Sequence, residues 1–172
     1  MSTPQRRGAV RTDLEQVFRA AYPRVVAVAA RVLGSRDAAE DVAQEVFLTF
    51  GRSAVPTEDA PAWLSVAAAH TALNHIRSGR RRASREEAAG DGDPVAPDVA
   101  DAVVTRDERR RVRAALARLP RKQAVALVLR HSGLSYAEVA AALNLSPGSV
   151  GTIVRRAESA LRKELNRHAS SD

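Results

Sequence analysis

Two helix-start signals stand close together in the segment Ser135 to Arg156, SYAEVAAALNLSPGSVGTIVRR. Ser135 with Glu138 three residues on is a capping box, in which each side chain satisfies a free backbone donor of the other residue. Leu134 and Val139 flank it at the spacing of a hydrophobic staple. Asn144 then ends the first helix, because Asn tolerates the left-handed conformation. Ser146 and Pro147 restart it, with Pro at the first helical position, where its missing N–H costs nothing. Leu145 and Val150 repeat the staple. A break this short forces two helices to cross steeply, as in a helix-turn-helix. In the second helix Val150, Ile153 or Val154, Ala157, Leu161 and Leu165 form one stripe. Ser149, Thr152, Arg155, Arg156 and Ser159 fall mostly on the other side. Small hydroxyls and Arg on the N-terminal half of an exposed helix suit a major groove. The same spacing also suits an ordinary helical hairpin with a basic, solvated face.

The rest of the chain extends the helical reading. The apolar residues are mostly Ala, Val and Leu, aromatics make up 3%, and no strand-like alternation occurs. Over 172 residues this predicts an all-α chain of small, Ala-rich helices in one domain or two small ones. A net charge of +7 points to a polyanionic partner. With no cysteine, disulfides and thiolate metal sites are excluded. No apolar run reaches the ~18 residues of a membrane span. Arg6 and Arg7 hint at an export signal, but Arg11, Asp13 and Glu15 stand where its apolar segment belongs, so a cytoplasmic protein is expected.

Along the chain, residues 1–11 read as a loose tail. Thr12 and Glu15 have capping-box spacing, and Leu14, Val17, Phe18, Ala21, Val25, Val28, Ala29 and Val32 keep a helical period. Pro23 predicts a kink or restart within it. Gly34 ends the run and Ser35 caps the next helix, which places Ala39, Val42, Ala43, Val46 and Phe50 inward and Glu40, Asp41, Gln44 and Glu45 outward. A loop from Gly51 to Ala60 leads to a third helix opened by Pro61, ending near Gly79 among Arg77, Arg80, Arg81, Arg82 and Arg85. Composition then shifts. EEAAGDGDPVAPDVAD is acidic, rich in Gly, Pro and Ala, and reads as a flexible linker over 86–103. Helical pattern resumes near Val103, and Pro120 opens a helix from Arg121 to His131 that Gly133 ends.

Three segments, in order, resemble the extracytoplasmic-function (ECF) group of bacterial RNA polymerase sigma factors, within the sigma-70 family. AEDVAQEVFLTF, Ala39 to Phe50, is similar to region 2.2. PAWLSVAAAHTALNHIRSGRRR, Pro61 to Arg82, is similar to regions 2.3 and 2.4. LPRKQAVALVLRHSGLSYAEVAAALNLSPGSVGTIVRRAESALRKEL, Leu119 to Leu165, is similar to region 4. The resemblance implies two small helical domains, region 2 over 12–85 and region 4 over 104–166, joined by the acidic linker, with 167–172 a tail. It implies a protein that binds core RNA polymerase and recognises the −10 and −35 promoter elements.

By that resemblance Asp41, Gln44, Glu45 and Phe47 meet the clamp coiled coil of the polymerase's largest subunit. Trp63, Asn74, His75, Arg77, Arg80 and Arg81 serve the −10 region. Ser135, Tyr136, Ser149, Thr152, Arg155 and Arg156 serve the −35 region, the first two through free backbone donors for phosphate. The chain departs from the family at Ser65, Val66 and Ala69, where an aromatic and basic residues are frequent, and at His70, where Asn is. Gly151 and Ile153 stand where Lys and Arg are frequent. A cognate anti-sigma factor is a further expected class of partner. No cofactor is expected, and the scattered histidines offer no metal site. The competing reading is a stand-alone helix-turn-helix regulator whose N-terminal block serves dimerisation or sensing. An enzyme would need a nucleophile and base, a phosphate-binding loop or metal ligands, and no such pattern stands out.

Overall fold

The computed structural model describes residues 10–83 and 106–170, with side chains through Gly79 in the first stretch. The expected linker at 86–103, most of the tail at 1–11 and the side chains of Arg80 and Arg81 lie outside the described residues. Among the described residues seven helices run in order: α1 (Leu14–Leu33), α2 (Arg36–Gly51), α3 (Ala60–Ala83), α4 (Arg106–Arg118), α5 (Arg121–His131), α6 (Tyr136–Leu143) and α7 (Pro147–Ala169). A single 3-10 turn, Thr57–Asp59, leads into α3. No strand occurs among the described residues.

The punctuation residues act as their chemistry dictates. Gly34 ends α1 at φ 67°, a left-handed conformation that costs glycine nothing. The Ser35 side chain accepts from the Ala38 N–H and starts α2. Asn144 closes α6 at φ 54°. Ser146 accepts from the Ser149 N–H with Pro147 at the first position of α7.

Four local expectations are corrected. The N-cap of α1 is Asp13, not Thr12, and its carboxylate is turned away from the helix to Arg11 and Thr57. Pro23 does not interrupt α1. It lies on the exposed side, so the carbonyl it deprives of a partner faces water, while Val25, Val28 and Val32 stay buried. α3 continues through Gly79 to Ala83, and α7 continues past 166 to Ala169.

α1, α2 and α3 pack on one another as the N-terminal block, while α7 packs on α4, α5 and α6 as the C-terminal block. α3 also touches α4, α5 and α6, and α1 touches α4 and α5, so both helices link the two blocks. On α3, Leu64, Ser65, Ala68, Ala69, Ala72 and Leu73 are all buried, a band far wider than a single-sided amphipathic helix needs. The buried residues of the two blocks join in one hydrophobic cluster that includes Phe50 and Leu64 from the first and Leu129, Leu134 and Val150 from the second. Each large side chain fully withdrawn from water contributes roughly 1.5–3 kcal/mol.

Candidate polymerase and nucleic-acid interfaces

α2 presents its polar face outward. Val42, Ala43, Val46 and Phe50 are buried, and the helical period leaves Asp41, Gln44 and Glu45 exposed as neighbours at i, i+3 and i+4. Phe47, expected to contact polymerase, is instead only 4% exposed. Its ring packs edge-on against Phe18 with centroids 4.9 Å apart and also meets Tyr22, so it supports α2 from behind. The apolar residue on the outer stripe is Leu48, 63% exposed, which follows Asp41, Gln44 and Glu45 at i+7, i+4 and i+3. Its place on that stripe was legible from the period alone.

On α3 the expected −10 residues divide between two faces. Trp63 is half-buried, its ring 5.8 Å from that of Phe50, and belongs to the packing of the block. His75 is exposed and lies 3.5 Å from the Glu45 carboxylate of α2. Asn74 and Arg77 point the other way, with His70, toward the C-terminal block. Arg121 of α5 places Nη1 3.0 Å from His70 Nδ1 and donates through Nη2 to Asn74 Oδ1. Arg77 donates through Nε to the Ala117 carbonyl at 3.2 Å and through Nη2 to the Leu119 carbonyl at 3.0 Å. Burial, and then the charges of Arg121 and Arg77, hold the His70 pKa below its ordinary value. The departures at Ser65 and Ala69 have a packing reason: both are buried, and Ser65 Oγ donates to the Pro61 carbonyl at 2.9 Å.

The helix-turn-helix of α6 and α7 forms as the caps predict. The Ser135 hydroxyl accepts from the Glu138 N–H, and the Ser135 N–H donates to Glu138 Oε2 at 2.6 Å. That second bond corrects one expectation, because the Ser135 backbone donor is already taken and is not free for phosphate. Glu138 is held below the usual carboxylate range by these bonds from Ser135 and more weakly by Arg24. Tyr136 is 46% exposed, with the Arg130 guanidinium 5.0 Å from its ring centre. Ser149 is half-buried and bonded to Ser146, whereas Thr152, Arg155 and Arg156 are exposed along α7. Val150, Val154 and Ala157 anchor the opposite side. Among the described residues no cluster of His, Asp or Glu has the arrangement to hold a metal ion. No described helix is long and apolar enough to cross a membrane.

Comparison with known proteins matches this layout. Residues 17–82 match the sigma-70 region 2 family and residues 109–161 the sigma-70 region 4 family. The chain is 33% identical over 147 residues to the ECF RNA polymerase sigma factor SigK of Mycolicibacterium vanbaalenii, covering 81% of this chain and 75% of that protein. It is 34% identical over 151 residues to SigK of Mycobacterium tuberculosis, covering 83% and 79%. Among solved structures, the sigma factor RpoE of Bartonella quintana, in complex with the anti-sigma factor NepR, shares the fold at a TM-score of 0.55 and 21% identity, over 91% of this chain and 98% of that one. The N-terminal block is thus itself a sigma region and not an unrelated sensing module, which removes the reading as a stand-alone regulator. The chain belongs to the ECF RNA polymerase sigma factors of the sigma-70 family, which confer promoter-specific initiation on RNA polymerase.

Proposed function

We propose that this chain engages core polymerase through Asp41, Gln44, Glu45 and Leu48 of α2, melts and reads the −10 element through the C-terminal half of α3, and reads the −35 element through Thr152, Arg155 and Arg156 of α7. The observation that carries the reading is the face of α2: three polar residues at neighbouring positions stay exposed while the alternate positions are buried. An acidic-amide face with one apolar residue suits an Arg-rich coiled coil, because charge complementarity steers encounter and the apolar contact adds burial. The exposed arginines of α7 can pair with phosphate or guanine. In this reading the chain performs no catalytic step of its own and works in the cytoplasm, at the nucleoid. A protein inhibitor of the anti-sigma class, such as accompanies the Bartonella relative, belongs to the same proposal.

Reconstituted transcription tests it. Core polymerase lacking any other sigma factor should initiate from a promoter of the native host only when this chain is added. DNA binding without initiation would overturn the reading.

A further inference from the structure

One guanidinium stands where the three helices of the N-terminal block come together. Arg11 precedes α1, and its side chain is only 16% exposed. It forks onto the Asp13 carboxylate through Nε at 2.8 Å and Nη2 at 2.7 Å. Nη1 donates to the Val55 carbonyl, and Nη2 also reaches Thr57 Oγ1 at 3.4 Å. The Thr57 hydroxyl in turn donates to Asp13. The guanidinium lies over the Phe50 ring, 4.2 Å from its centre, and that ring also meets Trp63 of α3. A single side chain thus joins the start of α1, the end of α2 and the connection over residues 52–59 that leads into α3.

That connection has little else to hold it. Ala54, Pro56 and Glu58 are exposed. The Ser53 hydroxyl donates to the Phe50 carbonyl and the Asp59 N–H to the Pro56 carbonyl, both local bonds. Among the described residues, its hydrogen bonds beyond the flanking helices run to Arg11 and Asp13 alone. Asp13 departs from a local rule to take part. It is the N-cap of α1, yet its carboxylate makes no capping bond. An Asp at that position ordinarily accepts from the first turn of its own helix. Such a departure marks a residue set by function in preference to helix stability. Both residues lie outside the segment 17–82 that matches region 2, so the match gives them no role.

We propose that Arg11 is a positioning residue for promoter opening: it fixes the connection over 52–59 and so holds α3 rigidly against α2 while the DNA strands are parted. The proposal rests on the reading of α2 as the polymerase helix and α3 as the −10 helix. Core binding uses the outer face of α2, which Arg11 does not touch. Opening loads both helices at once, because polymerase holds one and DNA the other. Each of them packs more extensively on α1 than on its fellow, so the joint between them depends on what ties their ends. Arg11 is that tie, and it is turned inward, away from both partners.

The test uses the full chain with core polymerase on a promoter of the native host. Each variant is assayed well below its melting temperature. The measurements are affinity for core, strand opening reported by a fluorescent adenine analogue in the −10 element, and initiation from the same promoter with that element already unpaired by mismatches. Arg11→Ala should bind core as the native chain does, open the duplex roughly tenfold less, and recover initiation on the unpaired promoter. Arg11→Lys keeps the charge but loses the fork, so its opening should fall between the two. It also covers the case in which Arg11→Ala fails to fold. Normal opening by Arg11→Ala, or by Arg11→Lys in that case, overturns the proposal. Core affinity that falls in step with opening, or initiation that stays low on the unpaired promoter, shows a merely structural role and overturns it too. If the native chain does not initiate, the reading of α2 and α3 fails first and the proposal falls with it.

Discussion

His75 Nε2 of α3 lies 3.5 Å from Glu45 Oε2 of α2, so one residue of the candidate −10 surface touches one residue of the candidate polymerase surface. Both side chains are well exposed, 44% and 60%, which limits the pair to at most ~1 kcal/mol. Its interest is geometric. The two candidate surfaces meet at this pair.

The polymerase face gives the first prediction. Asp41→Arg with Glu45→Arg should lower affinity for core polymerase by about 10- to 100-fold, since like charges set against an Arg-rich partner cost several kcal/mol. The melting temperature should move only slightly, because both are surface positions. Leu48→Ala should weaken core binding less, with the fold intact. Titration against core enzyme and a thermal melt check both parts. Normal core binding by the double variant would remove α2 as the contact.

The turn between α1 and α2 gives the second. Gly34 sits at φ 67°, where a side chain costs ~1–2 kcal/mol. A Cβ there would also clash with Arg113 Nη1 of α4, so that side chain must move. Gly34→Ala should therefore destabilise the chain by at least ~1 kcal/mol in a urea melt. Asn144→Gly, at φ 54°, should be nearly neutral because glycine adopts the same conformation freely.

Much of this architecture was written locally in the sequence. The α6 capping box, the Ser146-Pro147 start and the Gly34 stop each need only a few adjacent residues, and each formed as read. Phe47 was misplaced for a traceable reason. It was assigned by likeness of motif, whereas Ala43, Phe47 and Phe50 share one helical stripe and the period alone would have put it inside. Pro23 was read as a break because a sequence does not say which side of a helix faces water. The engagement of Asn74 and Arg77 left no local signal at all: Arg77 and Leu119 are 42 positions apart, and only the packing of the two blocks brings them together.

Asp13 gives a pH-dependent prediction. Hydrogen bonds from Arg11, at 2.7 and 2.8 Å, and then from Thr57 hold its pKa down to about 2, from an ordinary 3.8. The native state thus binds this proton less tightly than the unfolded chain, and the associated stability is present above the unfolded value and lost as pH falls toward the folded one. Asp13→Asn should be less stable than the native chain near neutral pH. The difference should hold down to about pH 4 and shrink between there and about pH 2. Urea midpoints of both proteins across that range make the comparison, and a constant difference would show that the Asp13 charge is not what ties Arg11 and Thr57 together.

The recognition helix gives the last. Arg155 and Arg156 are exposed on α7, opposite the buried Val150, Val154 and Ala157. Arg155→Ala and Arg156→Ala should each weaken binding to duplex promoter DNA. If the lost contact was to phosphate, affinity falls across all sequences and the salt slope drops by roughly one; if it was to a base, ~1–3 kcal/mol is lost at one position. Gly151 stands where a further cation is frequent in the family, and the structure has room for one: an added Cβ would meet Tyr136 Cε2 at 3.9 Å, an ordinary contact. Gly151→Lys should strengthen non-specific binding and also stabilise α7, because Gly is ~1 kcal/mol poorer than Ala inside a helix. The measurement is binding of the full chain to duplex DNA over a salt series. Unchanged affinity in both arginine variants would mean that this face of α7 does not meet DNA and that its arginines serve only to solvate the helix.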